Sequence, residues 1–372
     1  AYTLAATLSG SNERDAYAAK VRCHPSAVEA ALFADNVPLA VYDQLIAAVR
    51  AHLPIVHRYY ELRRRLLGLD EIHHYDCYVP LVPELEQKHT WDEAIQEITA
   101  SLQPLGTEYC DQLEAGLRGR WCDRYPNVGK QSGAFSSGTY ESDPYILMNF
   151  QEDVIEHVFT LAHEAGHSMH TRLSADAQPF QYAGYTIFVA EVASTFNEQL
   201  LTRHLLSKAH SPKQRAAIIS REIDAIRGTI IRQTMFAEFE RMSHASVESG
   251  EPLTLEKIRT LYRELLTAYF GSGFAIDEEL ELESLRIPHF YRAFYVYKYA
   301  TGLSASIALS KRVTEGGPEE LAAYLKFLRG GCSEWPLDLL RDAGVDLETP
   351  EPVGLALTRF GELVEELESL LE

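Results

Sequence analysis

Apolar residues recur at three- and four-residue intervals through most of this 372-residue chain, the spacing of helices with one buried face. Three such stretches come early, over 16–33, 38–52 and 53–67, and the last closes on Arg63-Arg64-Arg65, whose charge opposes the helix dipole. Two more are expected over 91–102 and 105–119, with Thr90 placed as an N-cap. Later helices are expected over 214–243, 255–270, about 288–313, 319–328 and 354–371. The one strand-like region is 132–150, where Gly133-Ala134-Phe135-Ser136 and the run from Tyr145 to Asn149 flank a turn-rich Ser137–Pro144, predicting a hairpin. Gly271-Ser272-Gly273 with the acidic Asp277-Glu278-Glu279 predicts a mobile loop. No repeat or compositional break marks a linker. The pattern therefore predicts one compact, mainly α unit over 1–372, with a helical part at 1–120, a small sheet at 121–150 and further helices over 151–372.

Composition narrows the setting. At 46% hydrophobic the chain can bury a large core, and no apolar run approaches the roughly 18 residues of a membrane helix. A formal charge of −20, from 54 acidic against 34 basic residues, disfavours nucleic acid and anionic membranes as partners, since both need a basic surface. Five cysteines are odd in number, scattered and never in CxxC spacing, so neither a disulfide framework nor a thiolate zinc site is expected and a reducing cytoplasm fits. The chain opens Ala1-Tyr2-Thr3 with no initiator Met and no signal-peptide pattern, and reads like the middle of a longer protein. Nothing in it indicates an oligomeric state.

Chemistry concentrates where the apolar run at 154, 155, 158, 159, 161 and 162 carries a helix into His163-Glu164-Ala165-Gly166-His167. Residues four apart share a helix face, so both imidazoles can hold one Zn²⁺ while Glu164 reaches water at the ion as general base. A bare HExxH string also fits an amphipathic helix with two ordinary core histidines. Entry into an interior argues against that, because unligated buried histidines are costly. Gly166 in mid-helix costs about 1 kcal/mol against alanine and suits a place where another backbone packs close. A catalytic zinc wants a third protein ligand, and His170, Glu191 and Glu198 are candidates. His170 would put three ligands on one helix and strain a tetrahedral site, so its expected role is structural or supporting. Glu191 and Glu198 share a face of an apolar helix seven residues apart. Glu191 is assigned the metal and Glu198 a hydrogen bond to a ligating imidazole; spacing alone also permits the reverse.

The string from His163 to His170, the helix Phe188-Val189-Ala190-Glu191-Val192-Ala193-Ser194-Thr195, and Ile287-Pro288-His289-Phe290-Tyr291 continuing to Tyr299-Ala300-Thr301-Gly302 resemble oligoendopeptidase F. That group belongs to the thimet-oligopeptidase-like zinc peptidases, peptidase family M3. Lys130-Gln131-Ser132-Gly133-Ala134-Phe135 and Ala343-Gly344-Val345-Asp346 match in family order too, so the likeness covers nearly the whole chain. It implies a large helical zincin-type fold with a small antiparallel sheet beside the active-site helix, and a deep channel admitting short peptides. It also implies one zinc held by His163, His167 and Glu191, with Glu164 as base. Members usually carry a further N-terminal helical region in the channel wall, which is expected to be missing here. The resemblance then implies a more open cleft with weaker size selection, or a wall supplied by a partner chain.

The segment holding His289, Tyr291, Tyr295, Tyr297 and Tyr299 is read as an aromatic helix, in part simply core. The resemblance implies that His289 and one or more of Tyr291, Tyr295 and Tyr297 donate hydrogen bonds to the scissile carbonyl oxygen or the substrate backbone; Tyr291 and Tyr295 are expected on one helical face. Donors of this kind are worth about 3 kcal/mol each in a transition state. The expected reaction is hydrolysis of short peptides inside a chain, with an edge strand of 132–150 aligning the substrate backbone and the Gly271-Ser272-Gly273 loop closing over it. Three other readings stay open. A zinc carboxypeptidase or dipeptidyl-carboxypeptidase would use the same site, a non-catalytic peptide-binding scaffold would keep a structural metal, and a helical interaction module would bind none.

Overall fold

Helical periodicity becomes helix over most of the chain in the computed structural model, which describes residues 1–82 and 88–372. In chain order the helices are α1 (Tyr2–Val21), α2 (Ala27–Leu32), α3 (Leu39–Leu66), α4 (Trp91–Ser101), α5 (Thr107–Arg118), α6 (Ile155–Ala177), α7 (Ile187–Lys208), α8 (Pro212–Ile226), α9 (Arg232–Glu248), α10 (Leu255–Phe270), α11 (Tyr297–Glu315), α12 (Pro318–Leu328), α13 (Pro336–Asp342) and α14 (Glu351–Leu371). The strands are β1 (Ile72–His73), β2 (Cys122–Asp123), β3 (Phe135–Ser137), β4 (Tyr145–Leu147) and β5 (Phe274–Ala275). The fold is mainly α with two small sheets. The chain divides into two compact units, one of Ala1–Pro83, Ile219–Thr301 and Glu348–Glu372, the other of Glu84–Ile218 and Gly302–Leu347.

In the first unit α3 packs with α9, α10 and α14. The break expected between 52 and 53 does not occur, because α3 runs through Pro54. An interior proline costs a helix about 3 kcal/mol, but Val49, Leu53, Val56, Tyr59 and Tyr60 are all buried along this helix, at about 1.5–3 kcal/mol for each large apolar side chain. Burial wins. Among the described helices α3 alone is long and apolar enough to cross a membrane, with a mean hydropathy of 1.3 over its window, a test that a core helix also passes. Between α8 and α9 a π turn over Arg227–Ile231 interrupts the stretch expected as one helix. Loop 271–273 leads into β5, which pairs in parallel with β1.

The expected helix from 288 to 313 is also corrected. Pro288–Tyr291 is a single 3-10 turn, Phe294 has φ +58°, and α11 begins only at Tyr297. A right-handed helix cannot pass through a left-handed residue. Tyr291 and Tyr295 therefore do not share a helical face. The helix expected over 16–33 is likewise two, α1 and α2, separated by a turn with Cys23 at φ +60°.

In the second unit the hairpin forms as expected, though short: β3 and β4 pair antiparallel with Phe135 opposite Leu147 and Ser137 opposite Tyr145. β2, not anticipated, adds in parallel to β4, leaving β3 at an edge of the order β2-β4-β3. Thr90 caps α4 through a reciprocal capping box with Glu93. α6 packs along α7, and this pair sets the candidate site.

Candidate metal centre

Gly166 is why α6 and α7 can meet so closely. A Cβ built on it would come within 2.6 Å of the Ala193 carbonyl oxygen and of the Ser194 Cα, which no side chain tolerates. The glycine in mid-helix thus lets one backbone lie against the other, as its sequence context predicts. Hydrogen bonds fix the crossing, with Asn197 Nδ2 donating to the Ala162 carbonyl across 3.1 Å. On α7, Thr195 Oγ1 donates to the Glu191 carbonyl and lies 2.9 Å from Ser306 Oγ of α11.

Against this frame His163 and His167 project from successive turns of α6 toward Glu191 of α7. Glu191 Oε2 lies 3.3 Å from His163 Nε2 and 3.7 Å from His167 Nε2, and the two rings stand 4.8 Å apart at 83°. One ligand atom from each residue falls within 4.8 Å of the others, the one such group of metal-ligand type among the described residues. Two atoms each bound at about 2.0–2.1 Å to a tetrahedral zinc stand roughly 3.3 Å apart, so the donor set fits that ion. Glu198 Oε1 meets His163 Nδ1 at 2.8 Å. A carboxylate there fixes the tautomer that presents Nε2.

The electrostatics describe a proton-sharing cluster. Burial disfavours the His163 imidazolium, yet hydrogen bonds to Glu191 and Glu198 together outweigh it and lift its pKa to about 10. Burial and the neighbouring charge on His163 push His167 down to about 4. Burial opposes the Glu191 carboxylate as well, but His163 and then His167 hold it down, to about 2. A cation entering here meets a carboxylate already held as the anion.

Glu164 follows His163 on α6. It is 6% exposed, and burial raises its pKa, moderated by the charge on His163 and by the backbone of Ser136 on edge strand β3. Its Oε2 is buried without a hydrogen-bond partner among the described residues. A buried carboxylate oxygen without a partner is uncommon in a folded chain. Ser136 Oγ, 2.8 Å from Ser168 Oγ, ties the same strand to α6.

His170 stands apart from the cluster. It is stacked on Tyr185 at 3.6 Å and packed beside Phe327, and burial drives its pKa down to about 3. It is a neutral packing residue. Two contributors were not read from the sequence: the Ser136 backbone, which has no side-chain signature, and Tyr185, whose hydroxyl meets Thr171 Oγ1 at 2.9 Å. Tyr185 lies before α7, where no periodicity points.

His289, Tyr291, Tyr295 and Tyr297 belong to the other unit. There His289 is exposed and stacks on Tyr295 with ring centroids 5.9 Å apart, while Tyr299 packs edge-on to Tyr295 and its hydroxyl reaches His289 Nε2 at 3.5 Å. Tyr291 turns to α1, its hydroxyl 3.1 Å from Thr7 Oγ1. Tyr297 is fully buried, 5.2 Å from the ring of Tyr42. Tyr299, not singled out from the sequence, joins the exposed histidine instead.

Comparison with known proteins adds the context of whole chains. The chain is 47% identical over 369 residues to the oligopeptidase PepF of Bacillus subtilis, covering 99% of this chain and 55% of that protein. It is 40% identical over 370 residues to the group B oligopeptidase PepB of Streptococcus agalactiae, covering 100% of this chain and 61% of that protein. The crystal structure of oligoendopeptidase-F from Enterococcus faecium superposes with a TM-score of 0.80 at 35% identity, over 99% of this chain and 60% of that one. The chain thus spans somewhat over half the length of the relatives it matches. Because the family pattern extends over residues 2–358, far beyond the motif helix, the chain is a member of peptidase family M3.

Proposed function

We propose that residues 1–372 act as a single catalytic unit that hydrolyses short oligopeptides at internal bonds with one zinc ion, held by His163, His167 and Glu191. The observation that carries this reading is the convergence of those three donors beside the unsatisfied oxygen of Glu164. When bound, zinc supplies a Lewis acid that lowers the pKa of water toward neutrality. Glu164 takes the proton from the attacking water and returns it to the leaving amine; its raised pKa brings it nearer the range in which both transfers are favourable. Glu198 keeps His163 in the tautomer that presents Nε2. The outer edge of β3 offers backbone groups to an extended peptide. His289, with a tyrosine among Tyr291, Tyr295 and Tyr297, enters on the family resemblance as donor to the developing oxyanion, and the stacking of His289 with Tyr295 favours that tyrosine. The substrates are short peptides rather than nucleic acid or membrane. The setting is a reducing cytoplasm, which the five free thiols fit.

The test is a digest of peptides of graded length, with free and amidated C-termini, read by mass. Internal cleavage of both forms, abolished by a chelator and restored by zinc, is the expected result. Activity indifferent to chelation sinks the metal assignment. Release of C-terminal residues from free but not amidated peptides instead selects the carboxypeptidase or dipeptidyl-carboxypeptidase reading.

A further inference from the structure

The first unit buries a glutamate that none of the chemistry above uses. Glu240, on α9, is 1% exposed. Its Oε1 accepts the backbone N–H of Phe294 at 2.9 Å, and its Oε2 has no hydrogen-bond partner among the described residues. Phe294 is the bulky residue among the three non-glycine positions with positive φ in the described residues, at +58°, a conformation that needs external support. Its ring is buried between Tyr42, at 5.9 Å, and His244, at 4.6 Å. The residue that follows is Tyr295, stacked on His289 and edge-on to Tyr299. All of these lie within one compact unit.

We propose that Glu240 is a positioning residue, whose carboxyl clamps the left-handed turn at Phe294 and so sets the His289–Tyr295–Tyr299 group toward substrate. A neutral carboxyl offers a carbonyl-type acceptor to the Phe294 amide without placing a bare charge in the interior. Burial, with Asp15 nearby, raises the Glu240 pKa well above that of a free carboxyl, in keeping with the protonated form. With the amide held and the ring wedged, the chain reverses at residue 294. Tyr295 then emerges facing His289. Without the clamp the turn can relax to right-handed backbone, and Tyr295 leaves its place. The inference rests on the proposed role of the His289 group in peptide hydrolysis.

Three variants and two measurements test it. With zinc-loaded protein and an internally quenched short peptide, Glu240→Gln keeps the acceptor and should retain kcat within about threefold. Glu240→Leu fills the same space without an acceptor and should lower kcat about 10- to 100-fold with a smaller change in KM, the scale of an ångström-level misplacement. Both should keep their zinc. Hydrogen exchange of a fragment covering residues 288–296 should accelerate in the leucine variant and not in the glutamine one. Unchanged kcat and exchange in Glu240→Leu, or an equal loss in Glu240→Gln, overturns the clamp. His289→Ala separates the two ideas. If it leaves kcat intact, the substrate role of the group fails, and the exchange readout alone decides whether Glu240 holds the turn.

Discussion

In the unit that holds the candidate metal centre, His163, Glu164, His167, Glu191 and Glu198 all stand on α6 or α7, two regular helices locked together at a glycine. In the other unit His289 and Tyr295 stand on irregular backbone between a 3-10 turn and the start of α11. Each region contains a buried glutamate. Glu164 and Glu240 both have their pKa raised by burial, and both leave Oε2 without a hydrogen-bond partner among the described residues. The difference lies in what surrounds them. Glu164 sits beside two imidazoles and a second carboxylate, where a proton has somewhere to go; Glu240 sits among Phe294 and the residues around it, where a carboxyl serves as a fixed acceptor. A buried carboxyl can be chemistry in one place and scaffolding in another.

The largest expected effect sharpens that contrast with one substitution. Glu164→Gln should keep zinc yet lower kcat by about 10²- to 10⁴-fold, against the near-neutral result expected for the same change at Glu240. Metal analysis and steady-state kinetics read both, and a Glu164→Gln enzyme with full turnover removes it as the base. Next, Glu198→Ala should weaken zinc affinity by about 10- to 100-fold by freeing His163 Nδ1; a competition titration that finds no change means the 2.8 Å contact does not steer the ligand. Gly166→Ala should destabilise the helix pair by roughly 1–3 kcal/mol through overpacking, measurable as a lowered denaturant midpoint. An unaffected midpoint would falsify the close approach to Ala193 and Ser194.

The smallest effect is one of pH. The Glu240 carboxyl has its pKa raised above 4.5 in the folded chain, so the unfolded chain ionises first. Its contribution is therefore fully present below about pH 4.5 and is withdrawn as pH climbs toward the folded value. Glu240→Gln carries no such loss, so its stability relative to the parent should grow from pH 4 to neutrality. A constant difference means the buried group is not neutral.

What the sequence made legible follows the same division. Helices with clear start signals and one dry face came through closely: Thr90 caps α4, and the stretch expected over 255–270 is α10. The metal-type donors were readable because i, i+4 spacing on regular helices converts directly into geometry. The His289 segment was not. Its apolar and aromatic residues mimic a helix, and the left-handed turn that breaks it depends on Glu240, more than fifty positions earlier. Tyr297, a candidate donor through the family resemblance, is fully buried against Tyr42, whereas Tyr299 meets His289. β2 escaped notice because two residues of strand are stabilised by their neighbour β4 and carry no pattern of their own.

The π turn over Arg227–Ile231 has a consequence for how this long rod is phased. Such a bulge accommodates one surplus residue within an α-helix, and each residue turns a regular helix by about 100°. Removing Gly228 should thus be absorbed as ordinary helix, leaving Glu240 aimed at its amide. Removing a residue from within α9 ahead of Glu240 would instead swing that carboxyl roughly a quarter-turn away and leave Phe294 unsupported.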